Sequence, residues 1–146
     1  MCDDIMGYRI FKNSKITFKY SETWEKEQPD TFNNPDCVAT LSKGDDSLLN
    51  VVMFPTNTNL EDFKLKMEDM ITDDGGVILE SDFVSIANED AIHVVAKMSN
   101  PDIIYEIYTY VFIINNIIYI FELRTVNPNK ELLDEYKTLI DSFKIL

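Results

Sequence analysis

The chain has 146 residues, of which 45% are apolar, 12% are aromatic and only four are glycine; this suits one ordered domain, residues 1–146, and excludes a miniprotein that needs disulfides or metal to fold. Twenty-six Asp and Glu against 13 Lys and Arg give a net charge of −13, with the acids scattered (Asp3, Asp4, Asp45, Asp46, Asp73, Asp74) rather than gathered in a tail. That field repels phosphate backbones and anionic headgroups, so nucleic acid is excluded as a partner, and the chain is expected to pass through heparin and DNA columns unretained at physiological salt; tight, salt-sensitive retention would overturn the exclusion.

In chain order, Cys2 and Cys37 lie far apart with no CxxC and no His cluster, which speaks against a zinc site or a disulfide framework. They read as two free thiols in a reducing compartment, and with no basic-then-apolar leader the expected location is the cytoplasm. The alternative is an extracytoplasmic lipoprotein, if Cys2 is a lipidation site exposed by trimming. The first strand covers residues 15–20. After it comes the longest irregular stretch, residues 22–36, holding Trp24, Pro29 and Pro35. Long loops on a rigid scaffold are where binding residues concentrate, so Trp24, Glu25 and Glu27 are the candidate partner contacts. Trp24 carries two readings, a structural plug or a hot-spot contact.

Strands follow at 37–41 and 48–54, joined by a turn at Lys43-Gly44-Asp45-Asp46. Asn59 is placed to cap a helix over 60–71, in which Leu60, Phe63, Met67, Met70 and Ile71 recur at helical spacing and Glu61 and Asp62 occupy the first turn. The Asp73-Asp74-Gly75-Gly76 run ends that helix. A calcium loop would need alternating oxygen ligands, glycine at the sixth position and glutamate at the twelfth, and the spacing here supplies none of these. Strands at 77–85 and 91–98 flank a turn at Asn88-Glu89-Asp90. The second of them carries the lone His93 on the side of Ala91, Val95 and Lys97.

The most apolar stretch, IIYEIYTYVFIINNIIYIFEL (residues 103–123), is as long as a bilayer is thick, but Glu106, Thr109, Asn115, Asn116 and Glu122 interrupt it. An acid near the bilayer centre costs roughly 2.5–3.5 kcal/mol on insertion scales. Asn115-Asn116 tolerates the positive φ of a tight turn, so the stretch reads as a β-hairpin and no membrane span is expected. Folding it about that turn puts Tyr108, Tyr110, Phe112, Tyr119, Phe121 and Leu123 on one face, and Val111, Ile113, Ile118 and Ile120 on the other. Both faces are apolar, so both need a cover. The closing helix is expected from an Asn127 cap with Pro128 at its first position, running to Phe143 with Leu132, Leu133, Tyr136, Leu139, Ile140 and Phe143 as its stripe.

Short connections between strands predict a mainly antiparallel sheet with two covering helices, the α+β class. The start ITFKYSETWEK (residues 16–26) resembles the F-x-Y-P-x-x-W opening of the PsbP-like family, a fold shared by the photosystem II extrinsic protein and a Ran-binding nuclear import factor. The Tyr/Ile hairpin followed by ELLDEYKTLIDSFKIL (residues 131–146) is similar to the closing helix of that family and its S-F-x-hydrophobic finish; Ser21 stands where the family usually has proline. The resemblance implies a PsbP-like α/β/α sandwich and a non-enzymatic binding or assembly role. No residue here matches a Ran-binding or photosystem-binding surface, so none is carried over.

A lone histidine cannot supply a multi-histidine metal site, and no GxxxxGK[ST], GxGxxG, GxSxG or HExxH is present. No catalytic, metal or cofactor residue is assigned. The expectation is an acidic, non-catalytic module that engages a protein partner. A small-ligand or metal carrier would require a hollow near Trp24 and the acidic loops, and an enzyme a cleft holding His93 or paired carboxylates.

Overall fold

The computed structural model describes residues 7–146, so Cys2, Asp3 and Asp4 lie outside the described residues. Two strands that open the chain, β1 (Tyr8–Lys12) and β2 (Ile16–Ser21), form a hairpin. The Asn13 side chain turns it, accepting the backbone N–H groups of Lys15 and Ile16 at 2.8 Å each. The remaining elements are β3 (Glu25–Glu27), β4 (Cys37–Lys43), β5 (Ser47–Pro55), α1 (Leu60–Asp73), β6 (Val77–Ile86), β7 (Glu89–Asn100), β8 (Ile103–Ile114), β9 (Ile117–Thr125), α2 (Lys130–Ser142) and β10 (Lys144–Ile145). Seven strands make one sheet in the order β3-β4-β5-β9-β8-β7-β6, and β1-β2-β10 make a second. Every pairing is antiparallel, and the fold is α+β.

The apolar stretch is the β8–β9 hairpin at the heart of the large sheet. Asn115 and Asn116 take φ of 53° and 63°, the pair of left-handed residues whose twist matches that of the flanking strands. The register is the one alternation demands, with Phe112 opposite Tyr119 and Val111 opposite Ile120. The turn between β6 and β7 falls at Ala87-Asn88 (φ 51° and 68°), so Glu89 and Asp90, expected in the turn, already pair with Ile86 and Ser85.

Asn59 caps α1, its side-chain oxygen accepting the Asp62 N–H at 2.8 Å. The helix ends through Gly75 (φ 84°) and Gly76, whose N–H returns to the Ile71 carbonyl at 2.8 Å. A Cβ on Gly76 would lie 2.4 Å from the Met98 sulfur and 3.0 Å from the Ile71 carbonyl oxygen; the glycine is there for close approach. For α2 the expected cap is corrected. Asn129, not Asn127, accepts the Leu132 N–H at 2.9 Å, because the Asn127 N–H is taken by the Thr125 hydroxyl and its carbonyl by the Asn129 side-chain amide.

Both faces of the sheet are covered. On one, Tyr110, Phe112, Tyr119, Phe121 and Leu123 pack with Leu41, Leu49 and Val51 beneath α2 (Leu132, Tyr136, Leu139, Ile140). The small β1-β2-β10 sheet completes that layer through Phe11, Ile16, Phe18 and Tyr20; β1 and β10 were not expected from sequence. Phe121 lies at the junction, with its ring centroid 6.0 Å from Phe18, 6.1 Å from Phe112 and 4.9 Å from Phe143. On the other face Ile92, Val94, Val111 and Ile118 lie under Leu60, Phe63, Met67 and Ile71 of α1. At about 1.5–3 kcal/mol per fully buried large side chain, the face under α2 holds most of the hydrophobic stabilisation. No helix among the described residues is long and apolar enough to cross a membrane.

Candidate functional site

The stretch 22–36 leaves β2 at Ser21, whose hydroxyl and that of Thr23 lie 2.8 Å apart. The Trp24 N–H returns to the Ser21 carbonyl at 3.0 Å, and this tight turn aims the indole inward. Trp24 is 1% exposed. Its ring nitrogen donates to Glu135 Oε1 of α2 at 3.1 Å, while the Thr23 hydroxyl donates to Oε2 at 3.1 Å. Of the two readings open for Trp24, burial fits the structural plug: a partner cannot touch the ring. Lys43 of β4 completes the cluster through ion pairs with Glu135 and with Glu131. Burial alone would raise the Glu135 carboxyl, but the Lys43 ammonium and the Ser21 and Trp24 donors outweigh it and hold the group below its ordinary value. Burial pulls the other way on Lys43, and its two carboxylates still leave it raised.

Past this anchor the chain runs along the rim of the sheet as β3, where Glu25, Lys26 and Glu27 are all exposed. Alternation sends Lys26 over the Phe11 ring, 5.3 Å from its centroid, and turns Glu25 and Glu27 together to the opposite face. Glu27 accepts the Ser42 hydroxyl at 2.6 Å, and Glu25 lies opposite Ser42 in the register. The rest of the stretch, expected to be irregular, is closed on itself. The Asp30 carboxylate accepts the backbone and side-chain N–H groups of Asn33 at 3.2 and 2.8 Å. These bonds lower its pKa. The Asp30 carbonyl accepts the Asn34 N–H at 3.0 Å, and the Asp36 carbonyl accepts the Met53 N–H at 3.1 Å. Phe32 rides on this turn, 93% exposed. Sequence reasoning missed it, and the only signal was one aromatic in the otherwise polar run DTFNNPD.

His93 sits elsewhere, in a hollow of about 440 Å³ between α2 and strands β6–β8, walled by Glu80, Glu106, Tyr108, Tyr110 and Lys137. Its imidazole stacks on Tyr110, its register partner, with centroids 4.2 Å apart and planes within 9°. Burial lowers its pKa against the pull of Glu80 and Asp82. Burial, with Asp141 and Glu80, pushes Tyr110 up to about 12, and Tyr108 gives its hydroxyl to Glu106 in a short hydrogen bond. The cleft that an enzyme reading asked for therefore exists, with a histidine whose face is committed to packing. Another hollow, about 350 Å³, runs beside α1 over Met67, Ile71, Ile107 and Ile120, with the Glu122–Arg124 ion pair at its rim. Cys37 is buried as a free thiol. Among the described residues no group of three or more His, Cys, Asp and Glu is placed to hold a metal ion.

No protein-family model matches the chain, and no curated protein matches it. Solved structures do. The chain is similar to cyanobacterial PsbP from Synechocystis sp. PCC 6803, at a TM-score of 0.74 and 11% identity over 100% of this chain and 98% of that one. It is also similar to a structure from Bacteroides thetaiotaomicron, at a TM-score of 0.71 and 13% identity, covering 97% of this chain and 49% of that one. A protein of unknown function from Pseudomonas aeruginosa aligns at a TM-score of 0.57 and 7% identity. At these identities the likeness is one of fold, and the fold is PsbP-like.

Proposed function

We propose that this PsbP-like domain is a non-catalytic binding or assembly module that engages a protein partner through β3 and the turn after it, with Glu25, Glu27 and Phe32 as the contacts and Trp24 as the buried anchor beneath them. The observation that carries the reading is Phe32. A single exposed apolar side chain is ordinary, but this aromatic stands on a turn already ordered by Asp30, so binding it forfeits little conformational entropy, and aromatics of this kind dominate interface hot spots. Glu25 and Glu27, on the strand that leads into this turn and in a chain of charge −13, favour a partner with a basic surface. The reading sets the protein in the cytoplasm, in keeping with the free Cys37 thiol.

The test places a photo-crosslinking residue at the exposed position 28, between β3 and the turn, in cells of the native organism, and compares the adduct formed by the otherwise unaltered chain with those formed by Phe32→Ala and by a Glu25→Lys/Glu27→Lys double variant carrying the same crosslinker. These side chains are exposed, so both variants should keep their unfolding free energy to within about 0.5 kcal/mol while losing the adduct. Undiminished capture by both variants would move the partner surface elsewhere. A second reading rests on the hollow beside α1, whose apolar floor and charged rim suit a small amphipathic ligand. Ligand-induced protection of Met67 and Ile107, with no effect of Phe32→Ala on capture, would favour it instead.

A further inference from the structure

The large sheet ends differently on its two sides. At one side β3 is three residues long; at the other β6 runs for ten, and among the described residues only β7 pairs with its backbone. Long free edges are templates for pairing with another strand. Three features of β6 decide what kind of strand it can take. A bulge between Ile78 and Glu80 leaves Leu79 unpaired and confines the regular free edge to residues 80–86. Glu80 and Asp82 are exposed on the face that carries His93. On the opposite face Phe83 is exposed beneath the Lys64 ammonium, 5.4 Å from the ring centroid, and Ser81 is fixed by its bond to Glu68 at 2.6 Å.

We propose that the free edge of β6 is a second docking surface, which takes an extended segment of a partner protein as an eighth strand, with basic residues on the face of Glu80 and Asp82 and apolar residues on the face of Phe83. Charge weighs against a second copy of this chain as the occupant. Two β6 strands paired about Ser81 would set Glu80 of each against Asp82 of the other, and pairing about Asp82 would set the two Asp82 carboxylates face to face, which destabilises a sheet. Pairing about Phe83 avoids acids directly opposite each other, with Asp82 against Val84 and Glu80 against Ile86, but in every register each copy adds a charge of −13. The same carboxylates attract Lys or Arg at alternate positions of an incoming strand, while the backbone supplies the affinity. The carboxylates that oppose self-association in the other registers therefore also select the partner. At about 4.8 Å per strand, β6 lies roughly 29 Å across the sheet from β3, so this surface and the one around Phe32 can be occupied together. The inference does not depend on the Phe32 reading.

Two blocked ten-residue peptides test it, one alternating Lys with Val and one alternating Glu with Val. Binding is followed by amide hydrogen exchange and by NMR shifts of the 15N-labelled protein. The expected result is slowed exchange at amides of residues 80–86 with the Lys peptide, at an affinity at least ten-fold above that of the Glu peptide and falling with salt. A Glu80→Lys/Asp82→Lys variant, checked for folding by its dispersed spectrum, should reverse the preference. Shifts confined to other strands, equal binding of both peptides, or a preference unchanged by the charge reversal would overturn the proposal. So would concentration-dependent dimerisation of the unmodified protein that protects the same amides.

Discussion

Replacement of Trp24 by alanine is expected to lower the unfolding free energy by about 3–5 kcal/mol, the range for deleting a large buried aromatic. The side chain is 1% exposed and belongs to the cluster formed by Phe11, Phe18, Leu41 and Tyr136, so its removal opens a cavity between β2, β4 and α2. It also takes away the indole N–H that reaches Glu135. Trp24→Phe separates the two effects: most of the ring's volume stays, the donor is lost, and the cost should fall to about 1–2 kcal/mol, that of one charge-assisted hydrogen bond with its imperfect repacking. Urea unfolding of the two variants beside the parent protein measures both. A loss below about 1 kcal/mol for the alanine variant would mean that the ring is not held in the core. Because the anchor lies under β3, Trp24→Ala should also weaken partner capture in the state that remains folded. The Phe32 and Glu25/Glu27 variants should do so without the stability loss, and that contrast distinguishes a support from a contact.

The fold was legible where local chemistry and global packing agree. Asn115-Asn116 with strict alternation on both sides specified the hairpin and its register. Asn59 with Leu60, Phe63, Met67 and Ile71 specified the first helix and the face it buries. The elements that escaped are those whose existence depends on distant partners. β1 reads YRIFK, too short and mixed to stand out. β10 is two residues laid against Thr17 and Ile16 by the end of α2. β3 reads EKE and is a strand only because Ser42, Leu41 and Thr40 of β4 supply its register. The candidate site divides in the same way. That stretch 22–36 would carry exposed acids was visible in its composition. The burial of Trp24 was not, since it is settled by Glu135, 111 positions along the chain. Phe32 was invisible for the opposite reason: nothing in the sequence distinguishes an aromatic that finds a core from one that an Asp30–Asn33 turn holds in water.

Glu135→Ala should be the next most costly of these changes, about 2–4 kcal/mol, because one carboxylate serves several donors, Trp24, Thr23 and Lys43 among them. Its removal leaves the Trp24 N–H and the Thr23 hydroxyl without their acceptor, and leaves Lys43 with only the solvent-facing Glu131. The side chains of Lys43 and Glu135 are 24% and 14% exposed, whereas the Lys130–Asp134 pair is 89% and 63% exposed. Exposed pairs of the second kind contribute about 0.3–0.5 kcal/mol, while breaking a fully buried pair costs about 3–5 kcal/mol, so this partly buried one belongs between them. The pH dependence follows from the sign of the shift. Despite the upward push of burial, Lys43 and the Ser21 and Trp24 donors hold the Glu135 pKa below its ordinary 4.5. The folded state therefore favours the carboxylate, and the stabilisation is complete above about pH 4.5 and lost as pH falls through the lowered folded value. Other carboxylates titrate in the same range, so the informative quantity is the difference between the parent and Glu135→Gln, which keeps an acceptor for Trp24 and discards the charge. That difference should be largest near pH 7 and shrink towards pH 3; a gap that stays constant across the range would show that Lys43 draws no stability from the charge on Glu135. A Lys43→Met/Glu135→Gln cycle at pH 7 then isolates the pair, with a coupling of at least about 1 kcal/mol expected for residues in one network.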